Sequence, residues 1–443
     1  MLMPNGFPRV FDIQAAKDRL DRLAARTQVA PGLADLLADT DWRAFLEAVF
    51  SASGFLADAA TADPEALVLT REQGFETAVH NTVATSAAGK TDAETMAILR
   101  RARRRAMLLT GLADLGAAWP LERVTGALSD FAEQAVRTAL ACVAPDNAAL
   151  AVLAVGKLGA RELNYSSDID IIVLHDERRS ETAEQVRRVR ALVAMLETRT
   201  SDGFVCRTDL RLRPDPAAMP LSVSLAAAEA YYGGLGQNWE RAALIKARGI
   251  AGDQSVIDEF KRLIDSWIWR RSLDFDAIAD IQSVLRQITR HKGHAPVTGT
   301  GQNIKLGRGG IRNIEFIAQT QQLIFGGRDP ALRSPGTCAA LAALADSGRI
   351  HIQTADELTD SYRFLRSVEH RLQMIADRQT HTVPADPDGL DRIAALMGDT
   401  PDVFTDRLTF HLDRVAGHTD DLFVDTPTLA ARGNLVFTGP SDD

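Results

Sequence analysis

Residues 156–176 read GKLGARELNYSSDIDIIVLHD, and this stretch decides the fold. The run IDIIVLH at 169–175 is apolar and has the length of a buried strand. It opens on two carboxylates, Asp168 and Asp170, one residue apart. Just upstream, LAVLAVG at 150–156 is a second apolar run that ends in glycine, as a buried strand entering a turn does. Downstream, GFVCRTDLRLRP at 203–214 alternates strictly and predicts a third strand. Between the last two, Val186, Val189, Val193 and Leu196 recur at helical spacing. The order strand, turn, strand, helix, strand predicts an α/β core with a small mixed sheet.

Working outward, residues 1–104 are rich in alanine and leucine and read as several short helices, with Asp41 as N-cap of DWRAFLEAVFSAS. The run LRRARRRAMLL contains the densest positive patch, Arg100 to Arg105. It reads either as a solvated helix face or as a face turned to phosphates. Beyond residue 296, Leu358, Tyr362, Leu365, Val368, Leu372 and Ile375 form the apolar stripe of a long bundle helix. The expected division is a helical region at 1–104, a catalytic domain at 105–295 and a helical bundle at 296–443. The fold class is therefore mainly α with an α/β core. The loop-like tail after Thr426 suggests part of a longer protein.

Composition narrows the functional classes. The 443 residues are 46% hydrophobic and 25% charged, ordinary values for a globular protein. No run approaches the roughly eighteen apolar residues of a membrane span, and the N-terminus lacks a signal-peptide layout. Cys142, Cys206 and Cys338 are odd in number and far apart, with no metal or disulfide pattern, which predicts a reducing, cytoplasmic setting. A net charge of −9 argues against general nucleic-acid binding. A monomer is the default expectation.

Side chains alternate along a strand, so Asp168 and Asp170 share a face. Two ionised carboxylates there need a nearby cation, and Mg²⁺ prefers such oxygen ligands. The third run adds Arg207, Asp209, Arg211 and Arg213 on alternate positions. An Asp among arginines suits a site that holds metal and phosphate oxygens together, Arg211 and Arg213 serving phosphate or pairing with a carboxylate. The turn at Gly156, with Lys157 and Ser167, offers backbone N–H groups and a cation to a nucleotide phosphate. Strand, G-K turn, D-x-D strand, helix and a strand with a third Asp is the layout of a polymerase-beta-type nucleotidyltransferase domain.

The blocks GKLGARELNYSSDIDIIV, RTDLRLRPDP, YYGGLGQNWERAALIKARGIAGD, IKLGRGGIRNIEFIAQTQQLIFGGRDPALRSP and FLRSVEHRLQMIADRQTHTVP together resemble the bifunctional glutamine synthetase adenylyltransferase/adenylyl-removing enzyme family, over residues 99–384. That family carries two nucleotidyltransferase units in tandem. The wording ELNYSSDID is similar to the N-terminal, adenylyl-removing unit. The resemblance implies phosphorolysis: phosphate attacks the AMP on a tyrosine of adenylylated glutamine synthetase and ADP leaves. It implies Mg²⁺ on Asp168, Asp170 and Asp209, nucleotide contacts from Gly156, Lys157, Ser167, Arg211 and Arg213, and control by the uridylylated PII protein and by glutamine. ATP-dependent adenylylation and a non-catalytic regulatory module are the alternatives.

Two further segments are weighed. GQNWERAALIKARGIAGD reads as one helix with Arg241 and Arg248 on a face, either salt-bridged at the surface or, as the resemblance suggests, bringing Glu240, Arg241 and Lys246 to the cleft. In KLGRGGIRNIEF, Gly307, Gly309 and Gly310 form either an anion nest or tight turns. The family usually has an acidic residue where this chain has Asn313; Glu315 is retained. His291 and His294 read as a basic loop rather than a metal site.

Overall fold

The computed structural model describes residues 8–84, 89, 91–145, 149–271 and 299–424. At its centre is the expected small mixed sheet: β1 (Leu150–Ala154), β2 (Ile169–His175), β3 (Thr208–Asp209), β4 (Ser222–Ser224) and β5 (Arg248–Gly252). The order is β3-β2-β1-β5, with β4 also pairing β2. β1 runs antiparallel to β2 and β5, whereas β3 and β4 lie in succession along one edge of β2, both parallel to it. The central strands β1 and β2 are apolar on both faces, and both faces are covered. Leu150, Val152, Ile169, Ile171 and Val173 join one core, and Ala151, Leu153, Ile172 and Leu174 another. Each of these valine, leucine and isoleucine side chains contributes about 1.5–3 kcal/mol on burial.

Seven helices precede β1 among the described residues: α1 (Ile13–Ala24), α2 (Leu33–Ala38), α3 (Thr40–Ala52), α4 (Gly54–Ala62), α5 (Pro64–Ala84, interrupted at Gly74), α6 (Asp92–Leu115) and α7 (Leu121–Val143). They share the first core with β1, β2 and α9 (Thr182–Glu197), α8 (Gly156–Gly159) being the single turn between β1 and β2. The expected boundary near residue 104 falls inside the continuous α6. The N-cap of α3 is Asp39, which accepts from the Asp41 and Trp42 amides at 3.1 and 3.2 Å, so Asp41 sits in the first turn instead. The second core lies under α10 (Leu225–Gly234), α11 (Asn238–Leu244) and α12 (Gln254–Ile268). A third unites α13 (Ile311–Phe325), α14 (Thr337–Asp346), α15 (Ile352–Met374), α16 (Pro387–Leu396) and α17 (Pro401–Val424), with the Leu358–Leu372 stripe inside it as expected. No described helix is long and apolar enough to cross a membrane, and the three cysteines are free.

Two strand readings need correction. The run at 203–214 pairs only at Thr208 and Asp209. Beyond them Asp209 accepts from the Arg211 amide at 2.8 Å, and Arg213 gathers the carbonyls of Leu210, Pro216 and Pro220, which curls the chain. The segment expected as one helix from 237 breaks after Leu244 and returns as β5, so Arg241 and Arg248 share no helix face. Gly249 and Gly252 let β5 press in: a Cβ on Gly252 would stand 2.1 Å from the Leu150 carbonyl oxygen.

Most of the arginine run on α6 turns inward, with Arg101 left exposed. Arg100 is buried and donates to the carbonyls of Met96, Met195, Gly203 and Thr198. Arg103 grips Asp377 at 2.9 and 3.0 Å, and Arg105 grips Asp63 at 2.6 and 2.8 Å. These are internal struts, tying α6 to α9, to the segment after α15 and to the junction of α4 and α5. Replacing Arg100 by alanine strands several buried carbonyls and is expected to cost about 3 kcal/mol. The exposed Arg101→Ala, by contrast, should stay within about 0.5 kcal/mol. Urea midpoints compare the two; equal midpoints would refute the strut.

Candidate active site

The parallel register of β2 and β3 sets Asp170 directly beside Asp209. Cross-strand neighbours share a face, so the two carboxylates adjoin. Gly156 forms the floor. Its φ is +57°, and a Cβ there would lie 2.4 Å from Asp170 Oδ2, so the carboxylate occupies the space a side chain would take. Burial and then the Asp209 charge push the Asp170 carboxyl up to about 6. Asp209 is held below its ordinary range chiefly by the hydrogen bonds of Arg211, at 2.5 and 3.0 Å. Asp168 stands just before β2 and pairs with Arg207 at 2.6 Å.

Asp170 and Asp209 open into a cleft of about 520 Å³. Lys157, Lys246, Lys305 and Arg312, together with the Asp209-bound Arg211, supply its positive charge, and Leu212, Trp239, Ala242, Ala243 and Phe316 its apolar wall. Burial lowers the Lys157 ammonium to about 8, against the pull of Glu369. For Lys246, burial acts the same way but is outweighed by Glu315 at 3.0 Å and Glu162 at 3.2 Å, so its net shift is upward. On α13, Arg312, Glu315, Phe316 and Gln319 line the cleft at i, i+3, i+4 and i+7.

The turn from Gly156 to Asp168 is moulded by one polar face of α15. Gln373 accepts from the Ser166 amide at 3.0 Å. Arg366 donates to the Glu162 carbonyl at 2.6 Å and to the Asn164 side chain. His370 meets the Tyr165 ring edge-on at 5.0 Å. Glu369, fully buried, lies 3.9 Å from Lys157, 3.2 Å from Arg366 and 2.9 Å from His381 Nδ1. Lys157 and Arg366 act on it by charge, and with His381 they hold the Glu369 carboxyl below its ordinary range despite burial.

Of the residues expected from sequence, Gly156, Lys157, Asp170, Asp209, Arg211 and Lys246 meet in the cleft. Five do not line it. Asp168 stands just before β2, held by Arg207. Ser167 is half-buried outside it. Arg213 is bound to loop carbonyls. Glu240 caps α11 and accepts from the Tyr231 hydroxyl at 3.0 Å. Arg241 is buried over the Trp267 ring. The three glycines before α13 make turns rather than an anion nest, because the amides of Gly310, Ile311, Arg312 and Asn313 already donate to backbone carbonyls. Asn313 lies off the cleft-lining stripe of α13. His291 and His294 lie outside the described residues. Sequence reasoning missed Glu162, Lys305, Arg312, Trp239 and Glu369; the charges of RSVEHRLQ, set between the apolar stripe residues Val368 and Leu372, were the available signal for the last.

Among the described residues, no three His, Cys, Asp or Glu side chains are grouped to hold a metal. Arg207 and Arg211 hold Asp168 and Asp209, leaving the ionised pair at Asp170 and Asp209 incompletely compensated. That pair still suits Mg²⁺, which takes one or two carboxylates and fills its shell with water and phosphate oxygens.

Residues 44–263 match the family model described as glutamate-ammonia ligase adenylyltransferase, and residues 281–423 match that described as GlnD PII-uridylyltransferase. The chain is 43% identical to the bifunctional glutamine synthetase adenylyltransferase/adenylyl-removing enzyme of Brucella melitensis over 95% of its length, and 43% identical to that of Rhizobium meliloti over 97%. It covers 46% and 47% of those proteins, so it spans about half the length of the relatives it matches.

The raised Asp170 carboxyl has a thermodynamic consequence. Its folded pKa exceeds its unfolded one, so its ionisation costs stability as pH rises from about 4 through about 6. Asp170→Asn removes that cost. Without divalent ions, the variant should exceed the parent by about 2–3 kcal/mol at pH 8, shrinking to about a third of that at pH 4.5. Paired urea titrations check this; a variant no more stable at pH 8 would contradict it.

Proposed function

Because this chain belongs to the bifunctional glutamine synthetase adenylyltransferase/adenylyl-removing enzyme family, we propose that its cleft removes AMP from adenylylated glutamine synthetase by phosphorolysis. The observation that carries the reading is the pairing of Asp170 and Asp209 opposite four cationic side chains in one cleft. A phosphate oxygen attacks the phosphorus of the AMP-tyrosine linkage, and the phosphorus–oxygen bond to tyrosine breaks. ADP forms, and the tyrosine oxygen takes up a proton from solvent. Phosphate is already anionic near neutral pH, so positioning and charge neutralisation suffice without a protein base.

Lys157, Lys246, Lys305 and Arg312 gather two anionic phosphates that would otherwise repel each other. The paired Glu162 and Glu315 keep Lys246 charged and aimed into the cleft. Asp170 and Asp209, joined by Asp168 once Arg207 yields it, would hold Mg²⁺. When bound, Mg²⁺ would neutralise charge on the nucleophile and the leaving oxygen. Control by uridylylated PII belongs to the same reading, supported by the family and by the match of residues 281–423 to a PII-uridylyltransferase model.

The test is a discharge assay on adenylylated glutamine synthetase with phosphate and Mg²⁺, parent chain beside Asp170→Asn. The parent should release ADP only when phosphate is present, and the variant should lose at least a hundredfold in rate, the scale of a removed transition-state contact. AMP transfer from ATP to unmodified glutamine synthetase, with no phosphate-dependent release, would instead identify the adenylylating reaction.

A further inference from the structure

The cleft has a feature that phosphate chemistry does not use. Trp239 is 45% exposed on α11 and lines the cleft with Leu212, Phe316 and Gln319. The other four tryptophans each contact a ring or a cation: Trp42 lies against Phe45 and Phe75, Trp119 against Phe75 and Arg123, Trp267 against Tyr232 and Arg241, and Trp269 under Arg333. Among the described residues, Trp239 has no such partner. None of the other exposed large apolar side chains of the described residues lines the cleft. An indole left open to water beside a charged pocket is a platform awaiting a flat ring.

Gln319 supplies direction. Its Nε2 donates to the Ala242 carbonyl at 3.3 Å. With Nε2 engaged, Oε1 is the acceptor that this cleft-lining side chain has to give a ligand. An acceptor at that position takes a hydrogen bond from an exocyclic amino group, as on adenine, and opposes a carbonyl, as on the six-position of guanine.

We propose that Trp239 is the stacking platform for the nucleotide base and that Gln319 Oε1 selects adenine over guanine. The proposal rests on the reading that this cleft holds a nucleotide, and it adds the base subsite to the phosphate subsite. The phosphates lie along Lys157, Lys246, Lys305 and Arg312, and the base lies between Trp239 and Gln319.

The experiment titrates ADP and GDP into the full chain with Mg²⁺, following tryptophan emission and heat of binding in parallel. The parent should bind ADP with quenching of the exposed tryptophan and prefer ADP to GDP at least tenfold. Trp239→Leu should lose the quench and weaken ADP roughly tenfold, with thermal stability unchanged because the side chain is exposed. Trp239→Phe should restore most of the affinity. Gln319→Leu should retain the quench and collapse the ADP preference. If ADP binds the parent but Trp239→Leu binds equally well, the platform is refuted while the nucleotide reading stands. If ADP does not bind the parent at all, both fall. If Trp239→Leu keeps ADP affinity but loses association with glutamine synthetase, Trp239 is a protein-docking residue and the proposal is overturned.

Discussion

The site depends on a buried charge pairing, Glu369 against Lys157 and Arg366. A carboxylate with no solvent exposure, held on a helix of the C-terminal bundle, survives only if cations enclose it. One of those cations is the lysine of the turn that follows β1. The pairing therefore couples the position of the turn after β1 to the packing of a helix some two hundred residues away in sequence. Arg366, His370 and Gln373 extend the same face along the turn as far as Ser166. The turn has only four residues of regular structure, at Gly156–Gly159, so its shape is imposed from outside.

A second constraint acts through the sheet. Parallel pairing of β2 with β3 forces Asp170 and Asp209 together, and the absent side chain at Gly156 gives the first of them room. The arrangement is unfavourable for the folded protein, because backbone register holds two like charges together. Arg207 and Arg211 moderate the repulsion from the flanks. The cost is borne by the aliphatic burial on both faces of β1 and β2.

What could be read from sequence followed from periodicity. The strands β1 and β2, the helix α9 and the stripe of α15 are long enough to show their repeat, and all appear where expected. The paired aspartates were legible because a carboxylate at the head of an apolar strand is out of place there. The failures share a cause. At β3 the alternation of arginine and leucine persists past Asp209, but Arg213 finds backbone carbonyls and the strand ends. At β5 a short run with two glycines carries no apolar signature, since its stability comes from close approach to Leu150 and Ile257. The arginines of α6 and the polar face of α15 look solvent-bound in one dimension, and only tertiary partners such as Asp377 and Ser166 reveal them as internal. The cations Lys305 and Arg312 belong to a segment whose relation to the sheet no local pattern encodes.

The reach of α15 across the sequence bears on synthesis. A chain emerging from the ribosome completes all five strands and all three aspartates by residue 252, yet Lys305, Arg312 and Glu369 are still to come. Domains fold as they emerge, and contacts of long sequence separation form last. Through that interval the sheet can assemble while the turn after β1 lacks its mould and the cleft beside Asp170 and Asp209 lacks Lys305 and Arg312. The cleft is complete in outline only when the bundle closes over the turn.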